Sequence, residues 1–236
     1  MAKSKEIRDN AMVKVNPLTD NQKKAWNAYK QGKNLLMYGA AGTGKTFVSL
    51  YLALQEVLRN DTPYETVYLV RSAVPTREIG FLPGDEEDKT ALFQVPYQNM
   101  VKFMFEQPNE MAFNNLYDKL KNQGSLFFLT TSFLRGITLD NAIIIVDEAQ
   151  NLTFHELDTI ITRVGMDSKI MFCGDFFQTD LQKGTDKNGL RHFMNILRGM
   201  DSFSTIEFTL GDIVRSGMVK EYLISKIKMG MDQDNG

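Results

Sequence analysis

The run Gly39-Ala40-Ala41-Gly42-Thr43-Gly44-Lys45-Thr46 constrains this chain more than any other feature: it matches G-x-x-x-x-G-K-[ST] and is entered from the apolar stretch Asn34–Tyr38. A strand that empties through glycines into a helix N-terminus turns several backbone N–H groups toward one anion, and the helix adds its partial positive charge. In that arrangement Lys45 reaches the β- and γ-phosphates of a nucleoside triphosphate, and the Thr46 hydroxyl ligates Mg²⁺. The alternative, a glycine-rich turn that happens to contain Lys-Thr, needs a match expected on the order of once in tens of thousands of windows. A nucleoside triphosphate is the expected ligand, held by the backbone of residues 39–46.

Such a loop requires a sheet behind it, and the flanking pattern supplies one. Short apolar, β-branched runs occur at Asn34–Tyr38, Thr66–Val70, Leu126–Thr130, Ala142–Val146, Lys169–Cys173 and Thr205–Phe208. Helical patterns lie between or beside them at Asp20–Tyr29, Lys45–Arg59, Tyr97–Phe105, Phe154–Arg163, Gly189–Arg198 and Val219–Lys228. Strands that are apolar on both sides and alternate with helices predict an α/β fold, a mostly parallel sheet covered on both faces. Ligands of such folds sit beyond the carboxyl ends of the strands. With 236 residues the chain suffices for one such domain, expected over 16–228 between flexible tails at 1–15 and 229–236.

Composition narrows the class further. One cysteine, Cys173, excludes a disulfide scaffold and a Cys-rich zinc site, and two histidines leave little for a His-built metal centre. No apolar run approaches the roughly 20 residues of a membrane span, and the polar first residues lack a signal-peptide core, so a cytoplasmic protein is expected. Charge sums to −2, yet the first 33 residues carry eight Lys/Arg against three acids. That basic stretch is compatible with nucleic acid and equally with a solvated tail and helix face.

Two more strand ends carry polar chemistry. The aliphatic run Ala142–Val146 ends in Asp147-Glu148-Ala149-Gln150. Asp147 is suited to hold Mg²⁺ and Glu148, pointing elsewhere, to deprotonate the water that attacks the γ-phosphate. A pair of surface acids capping the next helix is the plainer account. Lys169–Cys173 ends in Gly174-Asp175-Phe176-Phe177-Gln178, where Gln178 can hydrogen-bond both the γ-phosphate and the lytic water, or merely follow a turn. The expectation is that these two tips and the one before Gly39 lie side by side around one Mg²⁺-bound triphosphate.

Together these residues resemble the PhoH-like ATPases, a family related to the RecA-like core of superfamily one helicases. The likeness runs from about Leu18 to Leu223. It includes Val70-Arg71-Ser72-Ala73-Val74, the segments 79–85 and 133–142, Asp147–Asn151, 174–181 and Val214-Arg215. Gln182, Asn188 and Ser216-Gly217 depart from the pattern. No nuclease domain is expected, and in that the chain resembles the short, stand-alone members, such as those of bacteriophages.

The resemblance implies a RecA-like fold, ATP hydrolysis with Mg²⁺, a helicase-like link to RNA or single-stranded DNA, and a homo-oligomeric ring, a hexamer by analogy. It places Gln22 at the adenine edge, although Thr19-Asp20-Asn21-Gln22 also reads as a capping box that would occupy the same amide. Arg215 falls where an arginine touches the γ-phosphate, or else caps the following helix. Because related helicases close a second domain over the nucleotide, part of the site is expected to be completed by a neighbouring subunit. Arg71 and Arg135 stand near strand ends as candidate contacts to nucleic-acid or nucleotide phosphates, or as partners of the acids at 85–88. The rival expectation is an ATP-gated protein-binding switch with slow hydrolysis.

Overall fold

A computed structural model describes residues 5–72, 86–134, 136–175 and 184–229. In chain order it contains α1 (Asp20–Lys30), β1 (Asn34–Gly39), α2 (Lys45–Val57), β2 (Thr66–Arg71), α3 (Glu86–Phe105), α4 (Glu110–Asn122) and β3 (Leu126–Thr130). There follow β4 (Ala142–Val146), α5 (Phe154–Ile161), β5 (Lys169–Gly174), α6 (Gly184–Arg198), β6 (Phe203–Phe208) and α7 (Gly217–Lys228).

The six strands form one sheet in the order β3-β2-β4-β5-β1-β6, and every pairing is parallel. Register sets the tips level: Leu36 and Val146 both pair with Phe172, and Tyr38 pairs with Gly174. The strand before Gly39 and those ending at Asp147 and Gly174 are therefore immediate neighbours facing one edge, as expected.

Period-two alternation divides the core. Leu35, Met37, Ile143, Ile145, Met171 and Cys173 face one side, packed with α1 to α4. Leu36, Ile144, Val146, Ile170 and Phe172 face the other, packed with α5 and α6. With both faces covered, β4 and β5 are buried at every position, which is why Ala142–Val146 and Ile170–Cys173 read as unbroken apolar runs.

Three helices differ from the sequence expectation by more than two residues, α6 because it begins at Gly184 rather than Gly189. α3 starts at Glu86 rather than near Tyr97 and carries Pro96 inside it, so the proline marks no boundary. α4 had no counterpart, yet Asn109 caps it through Ala112 N–H, and Phe113, Leu116, Tyr117 and Leu120 form its buried stripe. That spacing of three and four residues is a legible helical signal. Within the stretch assigned to an N-terminal tail, residues 5–15 lie against the core: Val13 N–H donates to Met104 O (2.8 Å) and the Tyr51 hydroxyl donates to Val13 O (3.1 Å).

Candidate functional site

β1 delivers the phosphate loop through a close approach that only glycine allows. Gly39 has φ +117°, and a Cβ there would lie 2.0 Å from the Phe208 carbonyl oxygen. That oxygen accepts from Ala40 N–H at 3.0 Å, tying the loop's first turn to β6. Gly42 and Gly44 also take positive φ, and Gly44 is the N-cap of α2, so the loop ends on a helix N-terminus as the motif demands. The Thr43 hydroxyl donates to Ala40 O (2.9 Å), closing the loop from within.

Lys45 Nζ donates to the carbonyl oxygens of Gly39 (2.7 Å) and Ala40 (2.8 Å) and is buried. Burial lowers its pKa, an effect opposed first by the nearby Asp175 and more weakly by other neighbours, Asp147 and Glu148 among them. Beside it the Thr46 hydroxyl donates to Asp147 Oδ1 at 2.7 Å. The other carboxylate oxygen, Oδ2, accepts from the Tyr97 hydroxyl at 2.7 Å. Burial and then the charge of Asp147 push the Tyr97 phenol far up, so it stays a donor. Asp147 N–H donates to Val70 O (3.0 Å), extending the β4–β2 ladder one residue past the strand and fixing where the carboxylate starts.

Glu148 takes a left-handed backbone, φ +52° and ψ +39°, rare for a residue with a side chain. The chain turns sharply there, and the two neighbouring acids point apart: Asp147 toward Thr46, Glu148 toward Gln150. Gln150 Nε2 donates to Glu148 Oε2 at 2.5 Å, and its Oε1 accepts from Asp175 N–H at 2.9 Å, stitching the ends of β4 and β5 together. Glu148 has its pKa raised, first by burial and then by the charge of Asp147, while Gln150, Arg71 and Lys45 pull it down. A carboxylate made more basic in a cleft is suited to take a proton.

Gln22 is buried with both ends of its amide engaged: Nε2 donates to Thr43 O (2.9 Å) and Oε1 accepts from Leu18 N–H (2.8 Å). Thr19 caps α1 by accepting from Gln22 N–H, but the return bond of a capping box goes to Leu18 rather than to Thr19. The amide thus braces the phosphate loop. Arg215 lies against the loop of its own chain, since a Cβ on Gly42 would meet Arg215 Cγ at 3.0 Å. Val214 N–H, next to it, donates to Gly42 O at 3.1 Å.

A cavity of about 690 Å³ opens over these groups, within the range of roughly 300–1,000 Å³ usual for small-ligand sites. Its lining runs from Gln22 across residues 41–48 to Arg71, Tyr97, Asp147, Glu148 and Arg215. Gln178 and Arg135 lie outside the described residues. Tyr97 and Gln150 are the site residues that the sequence did not single out. Gln150 sits two places after Glu148 and was open to notice; nothing local to Tyr97 announces a bond across 50 residues.

The family model described as PhoH-like protein matches residues 14–226. The chain is 36% identical over 183 residues to a PhoH-like protein of Synechocystis, covering 77% of this chain and 53% of that one. To a PhoH-like protein of Bacillus subtilis it is 33% identical over 232 residues, covering 98% and 68%. To Protein PhoH of Escherichia coli it is 29% identical over 186 residues, 78% of this chain and 50% of that one. The chain thus spans between half and about two thirds of the length of these relatives. Among solved structures, the large terminase of the thermophilic bacteriophage D6E, in complex with ADP, superposes with a TM-score of 0.51 at 15% identity, over 87% of this chain and 49% of that one. That likeness concerns the fold, which is the RecA-like P-loop NTPase fold. Because the family match takes in the phosphate loop, the Asp147-Glu148 strand end and Arg215 alike, the chain belongs to the family of PhoH-like proteins.

Proposed function

We propose that the chain is a Mg²⁺-dependent ATPase whose turnover is coupled to RNA or single-stranded DNA within a homo-oligomeric ring. The observation that carries the enzymatic part is the contact of the Thr46 hydroxyl with Asp147 Oδ1 at 2.7 Å beside Lys45. Two hard oxygen donors from the phosphate loop and the β4 tip meet there, the chemistry Mg²⁺ selects, so Thr46 and Asp147 fit as its protein partners. When bound, the ion neutralises charge on the phosphate oxygens.

The residues divide the remaining work. Lys45 exchanges its bonds to Gly39 and Ala40 for phosphate oxygens, joined by the loop amides of residues 40–44. Glu148 accepts the proton of the attacking water as its oxygen bonds to the γ-phosphorus and the bond to the β–γ bridging oxygen breaks, releasing ADP and phosphate. Gln150 holds the Glu148 carboxylate in place until then. Arg215, against Gly42, meets the charge that builds on the transferring group, and Gln178 reports the γ-phosphate.

The test is steady-state ATP hydrolysis with and without single-stranded RNA, single-stranded DNA and duplex, across a salt series, with assembly followed by light scattering. Stimulation by single strands that weakens as salt rises supports the reading. Hydrolysis indifferent to every nucleic acid removes that client and favours an ATP-gated protein switch. No ATP turnover under any condition removes the ATPase itself.

A further inference from the structure

We infer that Tyr97 is a positioning residue for the metal-holding carboxylate of Asp147, so that helix α3 sets how well the site takes Mg²⁺. The inference rests on the ATPase reading above.

Among the described residues, the Asp147 carboxylate is held by two hydroxyls from two different elements: Thr46 of α2 on Oδ1 and Tyr97 of α3 on Oδ2, both at 2.7 Å. The two are not equivalent. The Thr46 hydroxyl would offer a lone pair to the metal as well as its proton to Oδ1, so its geometry would answer to the ion too. Tyr97 has no such second duty and keeps Oδ2. Its ring is 2% exposed and packs on Phe128 of β3 at 5.6 Å between centroids, so the phenol is fixed before any ligand enters. Its neighbours Pro96 and Met100 line the same cavity.

A buried anionic oxygen without its donor rotates or draws in water, and either loosens the geometry offered to the ion. Partners of this kind behind a metal-holding group shift metal affinity by roughly 10- to 100-fold when removed. The ring of Tyr97 supplies packing, which phenylalanine preserves; the hydroxyl supplies the orientation. A Tyr97 that merely fills space predicts no metal effect at all.

The experiment is calorimetric titration of ADP into the full chain in EDTA and at increasing MgCl₂, for wild type and Tyr97→Phe, with a melting curve to show that the variant is folded. Expected is ADP affinity in EDTA within two-fold of wild type, and a Mg²⁺ concentration for half-maximal gain raised about ten-fold or more. A Mg²⁺ midpoint within two-fold of wild type overturns the inference. The pair Asp147→Asn and Asp147→Asn with Tyr97→Phe repeats the titration without the orphaned charge. The second substitution is expected to shift the midpoint no further there, and a ten-fold further shift would show that Tyr97 does not act through Asp147. Wild-type protein that binds no ADP, or gains nothing from Mg²⁺, overturns the ATPase reading and this inference together. An intact gain in Tyr97→Phe overturns the inference alone.

Discussion

Lys45 Nζ donates to the Gly39 carbonyl oxygen at 2.7 Å, so the cation expected to hold phosphates is folded back on the first residue of its own loop. The loop is pre-shaped, and phosphate binding exchanges one set of oxygen acceptors for another. Lys45→Ala is expected to weaken nucleotide binding about 10- to 100-fold, the worth of one or two charge-assisted hydrogen bonds, and to abolish turnover. Calorimetry with ADP measures the first and phosphate release the second. Unchanged affinity would show that Lys45 never leaves Gly39 and Ala40.

Glu148 in the role of base makes two demands on kinetics. Glu148→Gln is expected to bind ATP yet turn over roughly 10²- to 10⁴-fold more slowly. Because burial and Asp147 raise its pKa, the acid limb of kcat in wild type is expected above the ordinary carboxylate value of about 4.3, with activity falling as pH drops through it. Brisk hydrolysis by the glutamine variant would remove Glu148 from the proton transfer.

The same raised pKa has a sign for stability. The folded protein holds a proton on Glu148 more tightly than the unfolded chain, so stability falls as pH rises from the unfolded to the folded pKa. Glu148→Gln is therefore expected to melt higher than wild type at neutral pH. That advantage shrinks as pH falls toward the ordinary carboxylate range. An equal or lower melting temperature at pH 7 would contradict the burial cost.

Gly39 and Gly32 separate steric conflict from backbone strain. A Cβ on Gly39 meets Phe208 O at 2.0 Å, whereas one on Gly32, φ +84°, meets nothing within 4 Å. Gly32→Ala is expected to cost about 1–2 kcal/mol, the left-handed penalty alone. Gly39→Ala adds a backbone clash and is expected to cost roughly 2–5 kcal/mol in urea unfolding. Similar losses at both positions would mean that β6 yields to the intruding methyl.

Arg215 stands beside Gly42 of its own chain. Arg215→Ala is expected to slow turnover. With the arginine of its own chain at each loop, mixing Arg215→Ala subunits with Lys45→Ala subunits is expected to restore no turnover. Turnover recovered by the mixture would establish sharing between subunits instead.

Much of this was legible in the sequence. The glycine loop followed by Lys45-Thr46, and the aliphatic run closing in Asp147-Glu148, are local patterns, because the loop needs φ-permissive residues in order and a strand buried on both faces must be apolar throughout. They gave the fold class, all six strands to within two residues, and the phosphate loop. α4 went unread although Phe113, Leu116, Tyr117 and Leu120 carry a helical period, and Pro96 hid the first half of α3.

What the chain alone could not decide is who meets whom. Sheet order and register brought the tips of β1, β4 and β5 level; the turn at Glu148 sent two adjacent carboxylates to different partners; and α3 carried Tyr97 to Asp147. Gln22, open in the sequence to adenine or to a helix cap, braces Thr43 and Leu18. Strand and loop propensities are set within a few residues by sterics and burial. A hydrogen bond between side chains 50 or 101 residues apart depends on the packing of every element between them, and exists only once the sheet has closed.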